Sequence, residues 1–345
     1  MKTAMIAMSG GVDSSVAAWL MQQQGFDCRG GTMLLWDTDP SFTADAKAVC
    51  DNLGIPFHAL DASAQFRREV VEPFIRAYEA GLTPNPCFLC NRTLKFSWFL
   101  DRALEMGCDC IATGHYARLV RENGRTLLYS APDKAKDQSY FLAGLNQRQL
   151  SRSSFPLGDL TKEQVRSIAE AQGFCNARKK DSQDICFIPD GDYKAFMERY
   201  TGKSYPAGSF LDCRGNVVGC HNGAVGYTLG QRKGLGLAMG SPVYVCGKDM
   251  TANTVTVGPE ENLFAATVFA QDSNFIPFDS LTSPLTVTAK ARSRHLPQHA
   301  TVYPDGEGKI RVEFREPQRA ITPGQAIVLY DGDLVIGSAT ITSAK

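Results

Sequence analysis

Ser9-Gly10-Gly11-Val12-Asp13-Ser14-Ser15 is the first run of residues whose types could do chemistry. Two glycines let the backbone approach a ligand closely, and the N–H groups of a helix that starts there point at whatever lies in front of it. Ser9, Ser14 and Ser15 add hydroxyl donors, so the run is suited to cradle an anion, most simply a pyrophosphate. Asp13 sits badly beside phosphate unless it binds Mg2+ or stabilises the helix start. The string is neither Gly-x-x-x-x-Gly-Lys-Ser/Thr nor Gly-x-Gly-x-x-Gly, which disfavours a P-loop NTPase and a dinucleotide-binding fold.

Cysteines form the second group. Thr83-Pro84-Asn85-Pro86-Cys87-Phe88-Leu89-Cys90-Asn91 reads as a rigid loop running into a helix capped by Asn91. Cys90 is then expected at a helix N-terminus, where the macrodipole lowers a thiol pKa. Cys186 lies in Lys179-Lys180-Asp181-Ser182-Gln183-Asp184-Ile185-Cys186-Phe187, where two lysines raise the local potential and two aspartates offset it. On these residues alone a second reading stands: Cys87 and Cys90 as half of a zinc site completed by Cys108 and Cys110. Against it, Cys108 and Cys110 are spaced Cys-x-Cys in an expected strand, whose alternation sends them to opposite faces.

The elements that must position these groups alternate at first. Thr3-Met8 reads as a buried strand, and Val12, Val16, Trp19 and Leu20 mark one face of a helix ending near Gly25. Further strands are expected over Thr32-Trp36, Pro56-Leu60 and Cys110-Thr113. Helices are expected over Ala44-Leu53, over 66–78 with a bend or break at Pro73, and along Phe96-Leu104. Thr161 and Gln164 form a capping-box pair, with Leu160 and Val165 as staple and Gly173 as stop. Beyond about residue 200, Gly, Pro, Val and Thr dominate. From Ala266 onward, short β-prone runs are separated by Asp305-Gly306, Pro323-Gly324 and Asp331-Gly332. The expected fold is α/β, a mostly parallel sheet with helices on both faces over 1–200. A connecting module over 201–262 and a C-terminal antiparallel β-barrel-like domain over 263–345 follow.

Composition narrows the class. Of 345 residues, 43% are hydrophobic and 21% charged, which excludes disorder and collagen-like structure. The 36 basic residues balance 36 acidic ones, so an anionic partner must be held by local patches such as Arg178-Lys179-Lys180, Gln231-Arg232-Lys233 and Lys290-x-Arg292-x-Arg294-His295. Lys290, Arg292 and Arg294 are expected on one face of a strand. No apolar run reaches membrane-spanning length, and the opening Met1-Met8 imitates a signal peptide without a cleavage site. A reducing, cytoplasmic compartment is expected, where eleven cysteines do not build a disulfide framework.

The Ser-Gly-Gly-x-Asp-Ser string resembles the pyrophosphate loop of the N-type ATP pyrophosphatases. Further motifs follow in order: Asn85-Pro86, Leu89-Cys90-Asn91, Lys95-Phe96, Thr113-Gly114-His115-Tyr116, Lys136-Asp137-Gln138-Ser139-Tyr140, Asp181-Ser182, Ile185-Cys186-Phe187, Gly230-Gln231-Arg232-Lys233-Gly234-Leu235-Gly236 and Pro323-Gly324-Gln325. With them the chain resembles the bacterial-type tRNA-specific 2-thiouridylases along nearly its whole length.

That resemblance implies ATP, with Mg2+, held by Ala7, Met8, Ser9, Gly10, Gly11, Val12, Asp13, Ser14, Met33 and Gly114. It implies Cys186 as the carrier of a persulfide and Cys90 as the thiol that releases it, leaving a Cys90–Cys186 disulfide to be reduced. Asn85, Pro86 and Cys87 would touch the target base, and His115, Lys136, Asp137, Gln138, Arg292, Ser293 and Gln325 the tRNA. Partners would be tRNA and a sulfur-donor protein. The implied reaction is 2-thiolation of the wobble uridine, position 34. Cys87 stands where relatives commonly carry Asp, and Ser293 where an aromatic residue is expected. Another adenylating enzyme on the same loop and a non-catalytic zinc-knuckle RNA-binding protein are the rival readings.

Overall fold

The computed structural model describes residues 1–36, 41–179 and 185–345. The motif Asp181-Ser182 and the offsetting Asp184 therefore lie outside the described residues, as does Lys180. The first strands are β1 (Thr3–Ala7), β2 (Asp27–Leu34), β3 (Phe57–Asp61) and β4 (Cys110–Ala112). A hairpin of β5 (Ala117–Glu122) and β6 (Arg125–Ser130) follows, and then the short β7 (Ser153–Ser154). The parallel sheet runs β3-β2-β1-β4-β7. Strand alternation splits its two faces cleanly. Ala4, Ile6 and Met8 enter the core beneath helices Val12–Gln23 and Lys162–Ala171. Met5 and Ile111 enter the core beneath the helix over 86–105. A strand buried on both faces explains why β1 is apolar from Ala4 to Ala7.

The order reverses between β1 and β4, so the crevice at their C-terminal ends is the place where such sheets take ligands. Both the loop after β1 and Thr113-Gly114-His115 open there.

A second sheet of β8 (Gly208–Leu211), β9 (Val217–His221), β10 (Tyr244–Asp249) and β11 (Thr254–Gly258) closes on Phe210, Leu235, Val245, Val255 and Val257. The last six strands are β12 (Phe264–Phe275), β13 (Leu285–Lys290), β14 (Gln298–Pro304), β15 (Ile310–Arg319), β16 (Ala326–Asp331) and β17 (Leu334–Ala344). They pair antiparallel in the order β12-β15-β14-β13-β16-β17, and β12 also pairs β17, so the expected barrel is closed. Closure removes the exposed edges an open sheet would present.

Four expectations need correction. The second strand begins at Asp27, not Thr32, because its middle is Gly30-Gly31, a pair with little strand propensity that masked it. The helix over 63–79 is continuous through Pro73. The turn Arg67–Val71 widens to a π-helix, which accommodates the missing N–H and the ring of Pro73 without a break. Lys290 ends β13 and residues 291–295 form bends and turns, so Lys290, Arg292 and Arg294 do not share a strand face. Cys108 precedes β4, so strand alternation does not govern the Cys108/Cys110 pair.

The hairpin β5–β6 was not foreseen, although Asn123-Gly124, both at positive φ, is a hairpin turn signature. It reaches across to the barrel, pairing Tyr129 with Leu334. Asp333 accepts from Ser130 Oγ at 2.9 Å and from Lys134 Nζ at 2.5 Å. Barrel residues Ile276, Ala326, Val328, Tyr330 and Val335 share one core with Phe96, Leu100, Tyr140 and Leu142. The barrel is thereby packed directly onto the helix that carries the cysteines.

Candidate active site

The loop after β1 is built for an anion. Gly10 has φ +70°, a left-handed conformation that glycine adopts without strain. Gly11 is the N-cap of helix Val12–Gln23 and no side chain caps it, so the first N–H groups of the helix stay free for a ligand. Ser14 Oγ accepts from Ser9 N–H at 3.2 Å and donates to the Gly11 carbonyl at 2.9 Å, holding the loop in its curve. Met8 N–H donates to Gly31 at 2.9 Å, which ties the loop to β2 beside Met33. A Cβ on Gly114 would stand 2.7 Å from the Asp13 carbonyl carbon. Only glycine lets the strand end at 113–115 close against the helix start.

Asp13 does stabilise this region, through side chains the sequence did not reveal. Its carboxylate accepts from Tyr116 OH at 2.8 Å and from Lys162 Nζ at 2.8 and 2.9 Å. Lys162 arrives from a helix whose capping box is formed as expected, with Gln164 N–H 3.3 Å from Thr161 Oγ1 and Thr161 N–H 2.8 Å from Gln164 Oε1.

Cys90 is not at a helix N-terminus. The helix begins at Pro86, capped by Asn85, whose Oδ1 accepts from Phe88 N–H at 3.1 Å. Asn91 lies inside it, 3% exposed, and its amide donates to the Phe141 carbonyl at 3.1 Å. Cys90 is buried among Phe66, Phe74, Leu94 and Ile188, and burial pushes its thiol up to about 12 instead of down. Burial wins because the dipole acts at the first turn, while desolvation of a thiolate acts wherever water is excluded.

Cys186 belongs to the same site. Its neighbours Ile185 and Phe187 pack into the core that holds Cys90, and Phe187 stands edge-on to Phe66 and Phe74, with ring centroids 5.5 and 5.3 Å apart. Cys87 and Cys186 keep exposed surface, yet the protein crowded round both sulfurs raises both thiols. Cys87 adds to that rise at Cys186 and Cys90, so the three thiols are close enough to feel one another. The cation that opposes the rise is Lys95 for all three. The helix widens into a π segment over Asn91–Trp98, setting Lys95 one wide turn from Cys90. The backbone N–H groups of Cys186 and Phe187 also favour charge on the Cys186 sulfur.

Cys108 and Cys110 have different surroundings. Their charged neighbours are Asp109, Arg29, Asp27, Arg121 and Lys2. The four cysteines of the zinc reading thus split between two places. Among the described residues, no group of three or more His, Cys, Asp and Glu is set to hold a metal ion.

The remaining motif residues each have partners of their own. His115 sits between Phe96 and Phe155, its Nδ1 2.7 Å from Thr113 Oγ1. Burial first, then Lys95, drives its pKa well below the ordinary value, so the ring is neutral. Asp137 accepts from Ala131 N–H, Ser139 N–H and Ser139 Oγ, and Gln138 Oε1 accepts from Tyr116 N–H at 3.0 Å. Lys136 stands beside them in the same turn. Gln325 Nε2 donates to the carbonyls of Thr83 and Pro84 at 2.8 and 3.2 Å, and Thr83 N–H donates to Pro323 at 2.9 Å. The barrel thus grips the loop that leads into Asn85-Pro86-Cys87. Arg292 donates to the Leu229 carbonyl at 3.1 Å and to Thr322 Oγ1, with Ser293 next to it in a turn.

Comparison with known proteins accounts for these features together. Three family models cover the chain: the tRNA methyl transferase HUP domain over 2–190, the tRNA methyl transferase PRC-barrel domain over 194–259, and the aminomethyltransferase beta-barrel domain over 265–341. The tRNA-specific 2-thiouridylase MnmA 2 of Clostridium botulinum is 44% identical over 98% of this chain and 98% of its own. The tRNA-specific 2-thiouridylase MnmA of Clostridioides difficile is 44% identical over 99% and 98%. Domain models describe the parts, and relatives matched from end to end describe the whole. The chain belongs to the tRNA-specific 2-thiouridylase family.

Proposed function

We propose that this protein is an ATP-dependent tRNA sulfurtransferase that 2-thiolates the uridine at position 34 of the anticodon. The observation that carries the reading is the pairing of an uncapped phosphate loop with Cys90, buried in a core, and Cys186, whose neighbours Ile185 and Phe187 pack into that core, with Lys95 opposing the raised pKa of both.

The C2 oxygen of uracil is a poor leaving group. ATP bound by Ala7 to Ser14, Met33 and Gly114 transfers AMP to that oxygen, releasing pyrophosphate, and the base loses its N3 proton. The terminal sulfur of a Cys186 persulfide then attacks C2 and AMP departs. Persulfide sulfur is nucleophilic at neutral pH, so no strong general base is required. Cys90 attacks the Cys186 sulfur, forming the Cys90–Cys186 disulfide, and the released 2-thiouracil takes a proton back at N3. Burial keeps the Cys90 thiol protonated at rest, and the proton it gives up on attack balances the one taken up at N3. An external thiol reductant resets the enzyme.

Mg2+ travels with ATP in this reading. Both Asp13 oxygens are engaged by Lys162 and Tyr116, so the fit is to a cation held through phosphate oxygens and waters, not through that carboxylate. Asn85, Pro86 and Cys87 border the base, extruded from the anticodon as other base-modifying enzymes require. His115, Lys136, Asp137, Gln138, Arg292, Ser293 and Gln325 shape the tRNA-facing rim. The parts 1–200, 201–262 and 263–345 act as catalytic domain, connector and tRNA-contacting barrel. Sulfur arrives from a donor protein, and the reaction takes place in the cytoplasm. Among the described residues, no helix is long and apolar enough to cross a membrane.

The test compares wild type with Cys186→Ala and Cys90→Ala, measuring sulfur on tRNA with ATP and a persulfide donor, alongside tRNA-dependent ATP–pyrophosphate exchange. Both variants should lose thiolation and keep exchange. Full thiolation by Cys186→Ala would remove the carrier role.

A further inference from the structure

A triphosphate brings several negative charges, and Ser9 to Ser15 contains no cation to meet them. Two lysines stand beside the loop. Lys162 has both Asp13 oxygens within 2.9 Å and an almost buried side chain, so withdrawing it would strand a partly buried carboxylate. Lys179 is placed differently. Its Nζ is 2.7 Å from Asp45 and 3.5 Å from the carbonyl of Gly10, at the apex of the loop, and its side chain is half exposed. An exposed ion pair of this kind holds its lysine only weakly.

The turn that carries Lys179 is fixed against the loop. Phe174 and Ala177 pack into the core under helix Val12–Gln23. Asn176, 3% exposed, donates to Gly10 O at 3.1 Å and to Ser15 Oγ at 2.9 Å, and its Oδ1 is buried without a partner. Lys179 N–H closes the turn on the Asn176 carbonyl at 2.9 Å. Residues 176 and 179 thus face the same carbonyl, one pinning it and the other beside it with freedom to move.

We propose that Lys179 is the cationic contact of the β,γ-phosphates: it exchanges Asp45 for the bound pyrophosphoryl group and stays on pyrophosphate after AMP transfer. The inference rests on the loop being the ATP site. It also moves Lys179 from the basic patches open to RNA into the nucleotide pocket.

The experiment measures binding of AMP, pyrophosphate and the α,β-methylene analogue of ATP, which cannot be split to AMP, to wild type, Lys179→Ala and Lys179→Arg. Lys179→Ala should weaken the analogue and pyrophosphate about 10- to 100-fold, the range of a charge-assisted hydrogen bond, and leave AMP within about twofold. Lys179→Arg should recover most of the loss. Unchanged affinity for the analogue, or an equal fall for AMP and the analogue, would overturn the assignment, the second by showing that the lysine merely supports the turn. Wild type that binds none of the three ligands would instead overturn the loop as the ATP site, and the proposal with it.

Discussion

The phosphate loop is drawn from consecutive residues, whereas the thiol site joins segments about 100 residues apart, and different forces hold the two. In the loop, backbone geometry decides: a left-handed Gly10, an uncapped helix start and serines bonded to the loop's own backbone. At the thiols, desolvation decides. Three cysteines on two chain segments all have raised pKa values, and the single lysine opposing the rise comes from a widened helical turn. A contiguous motif can be interpreted from its own residues. A site assembled by packing takes its chemistry from neighbours that no motif contains.

The strongest way to break this contrast is to show that the two halves do not separate. Cys186→Ser should reduce thiolation to background while nucleotide affinity stays at the wild-type value, measured by tRNA-bound sulfur and by ATP titration. Gly114→Ala should do the reverse. Its new methyl group meets Asp13 at 2.7 Å, so a loss of about 1–3 kcal/mol in stability and a fall in ATP affinity are expected, with persulfide loading of Cys186 retained. If Gly114→Ala lost loading and nucleotide binding together, the two sites would be one cooperative unit.

Asp13→Asn probes what lies beneath the loop. It leaves the Lys162 ammonium without its counter-charge, and a destabilisation of about 2 kcal/mol is expected by thermal unfolding. Gln325→Ala, which removes two hydrogen bonds to the 83–84 backbone, should lower stability by about 1 kcal/mol. It should slow thiolation while ATP binding without tRNA is unchanged, because the contact is to the cysteine-bearing loop.

The mildest test leaves the sequence intact. Thiolate fraction rises with pH, and a raised pKa moves that rise to higher pH. With its pKa near 12, Cys90 carries about one thiolate in 10^4 molecules at pH 8. Timed alkylation read by mass spectrometry should modify the exposed Cys87 and Cys186 before the buried Cys90. Cys90 should lag and still be accelerating above pH 10. Early labelling of Cys90 would show that burial does not set its pKa.

Much of the positioning was legible in advance. The alternation of strands and helices, the Thr161/Gln164 cap and the turn residues of the barrel are local matters of hydrogen bonding and backbone conformation, which sequence spacing records. The errors share one cause. Asn91 looked like a cap because Asn is a good one, but Asn85 followed by Pro86 takes that place and buries Asn91. Pro73 looked like a break, but a π turn absorbed it. Arg292 looked like part of a basic strand face with Lys290 and Arg294, but the strand ends at Lys290 and Arg292 lies in a bend, bonded to Leu229 and Thr322.

By itself the sequence pointed to the anion loop, because its geometry is backbone conformation set by neighbouring residues, and it singled out Cys90 and Cys186 by their context, while their pairing came from the family resemblance. Only the tertiary structure decided that Lys162 neutralises Asp13, that Lys95 serves three cysteines, and that Gln325 of the barrel grips the loop before Cys87. Those are long-range contacts. Their energies depend on burial and distance, and neither quantity exists until the chain has folded.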